Sequence, residues 1–166
     1  MSKKKKPAID PYKIVWRDGE PIDARTDSAV AWVEKKSGLN MPIVQGSYKS
    51  RYGGGADASK GTHDGGGIID VSIAGMSARD RVNLMHWAKR AGFFGWFRHG
   101  PGWEGNEHLH LGLRKHRNLA PLAAAQEIAY DNRRNGLVSN LRDNTWRPLI
   151  PRRWSHRRNR PVLFGR

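Results

Sequence analysis

The chain of 166 residues contains no cysteine. A disulfide framework, a thiol nucleophile and a cysteine-ligated zinc site are therefore excluded. Hydrophobic residues make up only 37% of the sequence, and no apolar run approaches the ~20 residues that a membrane-spanning helix requires. Residues Lys3–Lys6 carry the charge of a signal peptide, but no apolar stretch follows them, so we expect no signal peptide.

Negative charge is scarce at both ends of the chain, whose formal net charge is +15. Residues 1–6 contribute +4 and residues 114–166 contribute +10, whereas residues 7–113 hold 13 basic and 12 acidic side chains. Basic ends of this kind suit a polyanion or an acidic protein surface. The nearly neutral middle must be judged on its own chemistry.

The middle of the chain predicts an α+β fold, in which a small antiparallel sheet carries the functional site and is flanked by helices, with extended basic termini. Hydrophobic periodicity predicts helices over 26–36, 78–91 and 120–134 and strands over 43–48, 68–73, 93–97 and 108–113. We divide the chain into a basic N-terminal arm (1–20), a central domain (21–136) and a C-terminal tail rich in Arg and Trp (137–166).

Sequence signals mark the ends of two of these helices. Thr26 or Asp27 is a suitable N-cap for the first helix. Ser77, followed three residues later by Asp80, is typical of the start of the second. Within that second helix, we expect a buried stripe of Val82, Met85 and Ala88.

Histidine and aspartate residues form an unusual constellation in the middle of the chain. Asp70 interrupts an apolar strand, where an unpaired buried carboxylate would cost several kcal/mol. His63 precedes it across a glycine-rich turn that could fold the imidazole back towards Asp70. In a strand, His108 and His110 would project from the same face. Taken singly, each has another explanation, since a histidine is often merely hydrogen-bonded and Asp70 could cap a turn or pair with an arginine.

Two imidazoles and one carboxylate are a natural ligand set for zinc. Three such ligands leave a coordination position for water, which is the mark of a catalytic rather than a structural zinc site. Water bound at such a site can ionise near neutral pH. Ligand bonds would also order the glycine-rich loop over residues 51–67, which is too flexible to be regular structure by itself.

The combined spacing over residues 43–113 resembles the zinc D-Ala-D-Ala carboxypeptidase/endolysin family, part of a wider group with the lysostaphin-type peptidases and the hedgehog fold. The family motif Ser-x-His-x-x-Gly-x-Ala-x-Asp is matched by residues 61–70, which implies metal ligands at His63 and Asp70. The later Glu-x-x-His motif falls on Glu107 and His110. It implies that His110 is the third ligand and that Glu107 is the general base.

Two further roles follow from the same resemblance. The His-x-His motif of the wider group makes His108 a catalytic histidine next to the metal, so Glu107 and His108 both stay candidates for the base. The family element Ser-Gly-Tyr-Arg-Ser appears as residues 46–50, which implies that Lys49 binds the substrate or its oxyanion. Two positions depart from the family pattern, because Gly61 replaces the motif serine and Lys49 replaces the motif arginine.

The resemblance implies a Zn²⁺-dependent peptidase that hydrolyses amide bonds in the stem peptides or cross-bridges of bacterial peptidoglycan. A hydrolase of this kind, without a signal peptide, suits a phage endolysin or a lysin carried in the virion. It would reside in the host cytoplasm before lysis or in the phage particle.

The alternative hypothesis is a structural phage tail or virion component that uses this fold mainly for assembly, binding other phage proteins through residues 1–20 and 140–166. The tail also interleaves Arg with Trp, as in Trp146 and Trp154, which allows binding to single-stranded nucleic acid. Ahead of the base motif, Trp96 is expected in the core. For Trp103, the sequence leaves two positions open, the core or a cleft wall.

Overall fold

The computed structural model of the protein describes residues 9–144. Residues Lys3–Lys6 and the Arg/Trp-rich segment from residue 145 onwards, on which the assembly and nucleic-acid hypotheses depend, lie outside the described residues.

The described chain has an α+β fold, which confirms the predicted class. The strands are β1 (Ile14–Arg17), β2 (Glu20–Asp23), β3 (Ile43–Gln45), β4 (Ile68–Ser72), β5 (Phe93–Arg98) and β6 (His108–Leu113). The helices are α1 (Ala24–Ser37), α2 (Lys49–Tyr52), α3 (Ala78–Ala91) and α4 (Pro121–Asp131). Among these helices, none combines the length and the apolarity needed to cross a bilayer.

Four strands form an antiparallel sheet in the order β3-β4-β6-β5. Its register places Asp70, His110 and Trp96 opposite one another in a single row across β4, β6 and β5. The neighbouring row on the same face contains His108 and Arg98. Because side chains alternate between the two faces of a sheet, the polar residues of both rows share one face.

The opposite face of the sheet carries the main core. Helices α1 and α3 pack against each other and cover apolar side chains from all four strands. The side chains that lie fully buried there include Ile69, Val71, Leu109, Leu111, Phe93, Val30 and Leu84. This apolar layer holds the strands in register, and therefore fixes the polar rows on the other face.

Helix α4 covers part of the polar face through a second, smaller core. Ala123 and Tyr130 of α4 pack with Phe94 and Trp96 of β5. Trp96 is 5% exposed, which agrees with its expected place in the core. Trp96 Nε1 also donates a hydrogen bond to the Arg134 carbonyl, so the segment after α4 is attached to the sheet.

The first helix begins earlier than predicted. Its N-cap is Asp23, whose carboxylate accepts a hydrogen bond from the Thr26 amide, so the predicted cap at Thr26 or Asp27 is wrong. Both Asp23 and Thr26 are good capping types, and the strand β2 delivers Asp23 to this position. For α3, the predicted Ser77 cap is confirmed, but Val82 is 52% exposed and lies outside the buried stripe of Met85 and Ala88.

The compact region extends beyond the predicted limits of 21 and 136. Strand β1 pairs with β2 and packs on α1, so part of the predicted arm is folded. At the other end, an isolated bridge joins Arg134 to Arg142, and Asp143 donates its amide hydrogen to the Arg133 carbonyl. We call residues 133–143 the C-terminal turn.

A buried polar network joins the N-terminal hairpin, formed by β1 and β2, to the segment after β3 that carries Tyr48 and to the loop after β6 that carries His116. His116 Nδ1 accepts the Asn118 amide hydrogen, so the ring proton lies on Nε2, 3.0 Å from Asp23 Oδ2. Tyr48 Oη contacts the same carboxylate at 3.4 Å. Burial by itself raises the pKa of Asp23, but His116 and Thr26 hold that pKa below its usual value.

We expect Asp23→Ala to lower the free energy of unfolding at pH 7 by about 2–4 kcal/mol, because the helix cap is lost and the buried His116 imidazole loses the carboxylate that lies 3.0 Å from its Nε2. Since the pKa of Asp23 is lower in the folded state than the unfolded value of 3.8, its stabilising contribution is complete above about pH 4 and is lost as the pH falls through the lowered pKa. Urea denaturation at pH 7 and pH 3 measures both effects.

The matched control is Asp27→Ala. Asp27 lies in the first turn of the same helix, where its half-exposed carboxylate pairs with Arg17. We expect a loss below about 1 kcal/mol. Equal losses for the two variants would contradict the role of the Asp23 network.

Candidate metal centre

The three predicted ligands come together on the polar face of the sheet. His63 arrives from the glycine-rich loop, Asp70 from β4 and His110 from β6, and one potential ligand atom of each lies within 4.8 Å of the other two. All three side chains are buried. The described residues therefore contain a cluster that could hold a metal ion.

The hydrogen bonding of His63 leaves one of its nitrogens free for a metal. Nδ1 lies 2.7 Å from the Gly46 carbonyl oxygen, and because a carbonyl can only accept, Nδ1 carries the ring proton. The unprotonated Nε2 is buried without a hydrogen-bond partner and lies 3.4 Å from Asp70 Oδ2. An orphaned buried acceptor that faces a carboxylate is the arrangement that a cation satisfies.

A glutamine on α4 determines the proton position on His110. Gln126 Nε2 donates to the Gly136 carbonyl at 3.0 Å, which fixes the amide orientation and turns Oε1 towards His110 Nε2 at 2.9 Å. Nε2 must then carry a ring proton, and the other nitrogen, Nδ1, lies 2.7 Å from Asp70 Oδ1. Two acceptors this close repel each other unless a proton or a metal ion lies between them.

Electrostatics also favour the ligating forms of Asp70 and His110. Burial raises the pKa of Asp70, but the His110 and His63 imidazoles outweigh it and hold the pKa well below its usual value. Burial lowers the pKa of His110, despite the adjacent Asp70 carboxylate. A carboxylate and a neutral imidazole are the forms that bind metal ions.

His108 lies beside the three ligands. Its Nδ1 donates to the Asn106 carbonyl at 2.7 Å, which leaves the Nε2 lone pair 3.7 Å from Asp70 Oδ1. The ring of Trp103 packs edge-on against it, with the centroids 5.3 Å apart. His108 thus offers a proton acceptor at the edge of the cluster.

Two other predicted site residues lie elsewhere. Glu107 is exposed and immediately precedes β6, where strand alternation directs it away from the face that carries His108 and His110. Lys49 belongs to α2, and its Nζ pairs with Glu20 Oε2 at 2.5 Å. Within residues 9–144, neither side chain lines the cleft at the cluster.

The departure at position 61 has a local explanation. Gly61 has φ +84°, a backbone conformation that residues with a Cβ rarely adopt, and a Cβ there would also displace the Leu122 side chain, so the serine of the family motif would be strained. The loop is supported instead by the Gly61 amide, which donates to Asp64 Oδ2, and by the Thr62 hydroxyl, which donates to the Ser59 carbonyl.

The cluster lies in a cleft of about 980 Å³. Its polar lining includes Gln45, Arg98 and the side chains of the cluster. Its apolar lining comes mainly from α4 and the C-terminal turn, with Leu122, Ile128, Leu137 and Val138 all exposed. Trp103 also lines the cleft. Of the two positions that the sequence left open for it, the core or a cleft wall, the structure shows the cleft wall.

Comparison with known proteins finds no matching family model, no matching curated protein and no matching solved structure. The resemblance to zinc peptidases therefore rests on the sequence motifs alone.

Sequence reasoning did not anticipate Gln126 or Arg98. Gln126 is the polar residue after three consecutive alanines in α4, a signal that could have marked it as a buried contact. Phe94, Trp96 and Arg98 are alternate residues of β5, so their side chains lie on one face of the sheet. Strand alternation alone therefore places the Arg98 charge on the same face as the histidines.

We expect Gln126→Ala to weaken divalent metal binding by about 10- to 100-fold, because residues that orient a ligating imidazole contribute that much to metal affinity. Titration with Co²⁺, whose absorption reports the ligand geometry, measures the change. Gln45→Ala is the matched control, because Gln45 lines the same cleft but bonds to Ser59. Equal Co²⁺ affinity in the two variants would show that Gln126 does not orient His110.

Proposed function

We propose that this protein is a zinc-dependent peptidase that hydrolyses amide bonds in the stem peptides or cross-bridges of bacterial peptidoglycan. The observation that carries the proposal is the convergence of His63, Asp70 and His110, with His108 Nε2 beside them at the floor of a cleft. As an endolysin or a virion-associated lysin, it would act from the host cytoplasm before lysis or from the phage particle.

The donor set supports zinc as the metal. Two imidazole nitrogens and one carboxylate oxygen are ligands that zinc accepts in catalytic sites. Non-haem iron(II) oxygenases use the same ligand types. The adjacent imidazole of His108, placed as a base, favours hydrolysis over oxygen chemistry. When bound, zinc would lower the pKa of a water molecule and polarise the substrate carbonyl.

His108 is the residue that supports proton transfer in this site. Because its Nδ1 proton is committed to Asn106, Nε2 is free to accept a proton from the attacking water and to return it to the leaving amine. This cycle is general base catalysis followed by general acid catalysis at one atom. The resemblance favours Glu107 for this role, whereas the geometry favours His108.

The form of the cleft supports a peptide substrate. One wall is aliphatic, with Leu122 and Ile128 of α4 exposed to it, and suits small apolar side chains such as alanine. The other wall carries polar groups that can bind a peptide backbone. Alanine-rich stem peptides with D-centres fit this chemistry, and the motif spacing is shared with enzymes that cleave them.

We expect His63→Ala to abolish stoichiometric zinc binding and to lower the rate of peptidoglycan hydrolysis by at least about 100-fold, since one ligand and the loop that carries it are lost. Metal analysis and the turbidity of purified cell walls provide the two measurements. His99→Ala is the control, because His99 is an exposed histidine just after β5. Zinc-free wild-type protein with full activity would refute the proposal.

A second pair of variants identifies the base. We expect His108→Ala to lower kcat by about 10²–10⁴-fold, while Glu107→Gln changes kcat less than about threefold because the Glu107 carboxylate is exposed outside the cleft. Steady-state kinetics at constant zinc occupancy give both values. The reverse order would assign the base to Glu107 and would contradict the geometry.

A further inference from the structure

Arg98 is a buried cation at the floor of the cleft. It is the last residue of β5, lies opposite His108 in the sheet register and is 6% exposed. Its guanidinium lies over two indole rings, with the Cζ atom 4.9 Å from the Trp96 centroid and 5.8 Å from the Trp103 centroid. These two rings in turn contact His110 and His108, so the guanidinium is held next to the candidate metal centre.

The contacts that Arg98 makes within residues 9–144 leave most of its hydrogen-bonding capacity unused. One N–H group donates to the Asn135 carbonyl at 2.9 Å, out of the five that a guanidinium carries. Among residues 9–144, no carboxylate lies within ion-pair distance of it; Asp70 and Asp143 act on it only at longer range. Burial lowers the pKa of Arg98 to about 10 despite these two carboxylates.

A buried charge without a bonded counter-ion is costly to the fold. The imbalance would grow in the metal-loaded protein, because a divalent ion would take up the Asp70 charge that now acts on Arg98. The floor of the cleft would then be positive overall, with the remaining guanidinium hydrogens available to a ligand. A planar carboxylate is the group that matches such donors in a bidentate manner.

We propose that Arg98 binds a carboxylate of the substrate and thereby selects peptides that carry a free carboxylate close to the scissile amide bond. The inference rests on the proposed function, and it assigns to Arg98 the substrate contact that the sequence suggested for Lys49. The carboxylate could be the C-terminus of the peptide or the side chain of an acidic residue in it.

The test compares two peptide pairs on the zinc-loaded full-length chain. The first pair is an acyl-D-Ala-D-Ala peptide and its C-terminal amide; the second is a C-terminally amidated peptide with D-Glu or D-Gln beside the scissile bond. We expect the wild type to prefer the acid in one pair by about 10- to 100-fold in kcat/KM, the range for a hydrogen bond to a charged group. The pair that shows the preference identifies the source of the carboxylate.

Arg98→Met should remove this preference, so that kcat/KM for the acid falls by about 10- to 100-fold relative to kcat/KM for the neutral peptide. Arg98→Gln provides a second variant, because its amide can still donate to the Asn135 carbonyl, and it should lose the preference as well. Lys60→Met is the matched control. It removes another cation from the rim of the cleft, one that is exposed and paired with Asp57, and it should keep the preference.

A second readout separates this inference from the proposed function. Calorimetry measures ligand binding without hydrolysis. The first pair of ligands is N-acetyl-D-alanine and N-acetyl-D-alaninamide, and the second pair is the C-terminal amides of N-acetyl-D-Glu and N-acetyl-D-Gln. If the wild type cleaves none of the peptides, the peptidase proposal fails, and the binding ratios still decide the role of Arg98. A wild type that does not distinguish acid from amide, or Arg98 variants that keep the wild-type ratio because the metal alone binds the carboxylate, would overturn the inference.

Discussion

The pairing of Asp70 with His110 across β4 and β6 is the contact on which the site depends. It is a register pairing, so it is set by the apolar residues on the other face of the sheet. A slip of one residue would turn the carboxylate and the imidazole into the core, where neither would have a partner. The packing of α1 and α3 on that face therefore has a chemical consequence, because it determines which side chains meet at the candidate metal centre.

Around this pairing, each imidazole has its proton assigned by a neighbour that is not a ligand. The Gly46 carbonyl orients His63, Gln126 orients His110 and the Asn106 carbonyl orients His108. These partners are far apart in sequence, because Gly46 follows β3, Gln126 lies in α4 and Asn106 precedes β6. As a result, Nε2 of His63, Nε2 of His108 and Nδ1 of His110 already face the Asp70 carboxylate, which lowers the reorganisation that metal binding would require.

Much of the centre could be predicted from the sequence, because its information is local. Strand alternation places His108 and His110 on one face, and the spacing of His63 and Asp70 spans one glycine turn. What could not be predicted depends on long-range packing. Gln126 reaches His110 only because α4 docks on β5, and Lys49 is drawn to Glu20 by the N-terminal hairpin. The cap of α1 is Asp23 rather than the predicted Thr26 or Asp27, because β2 ends at Asp23 and the helix begins directly after it.

The hydrogen bond from Gln126 to the Gly136 carbonyl connects the candidate metal centre to the C-terminal turn. The same turn accepts hydrogen bonds from Trp96 and Arg98, so three groups at the floor of the cleft share it as a support. A cation that favours the oriented His110 imidazole would therefore also favour the observed position of the turn, and by linkage the reciprocal effect would be equally large. The stability of the turn would then report whether the cluster holds an ion.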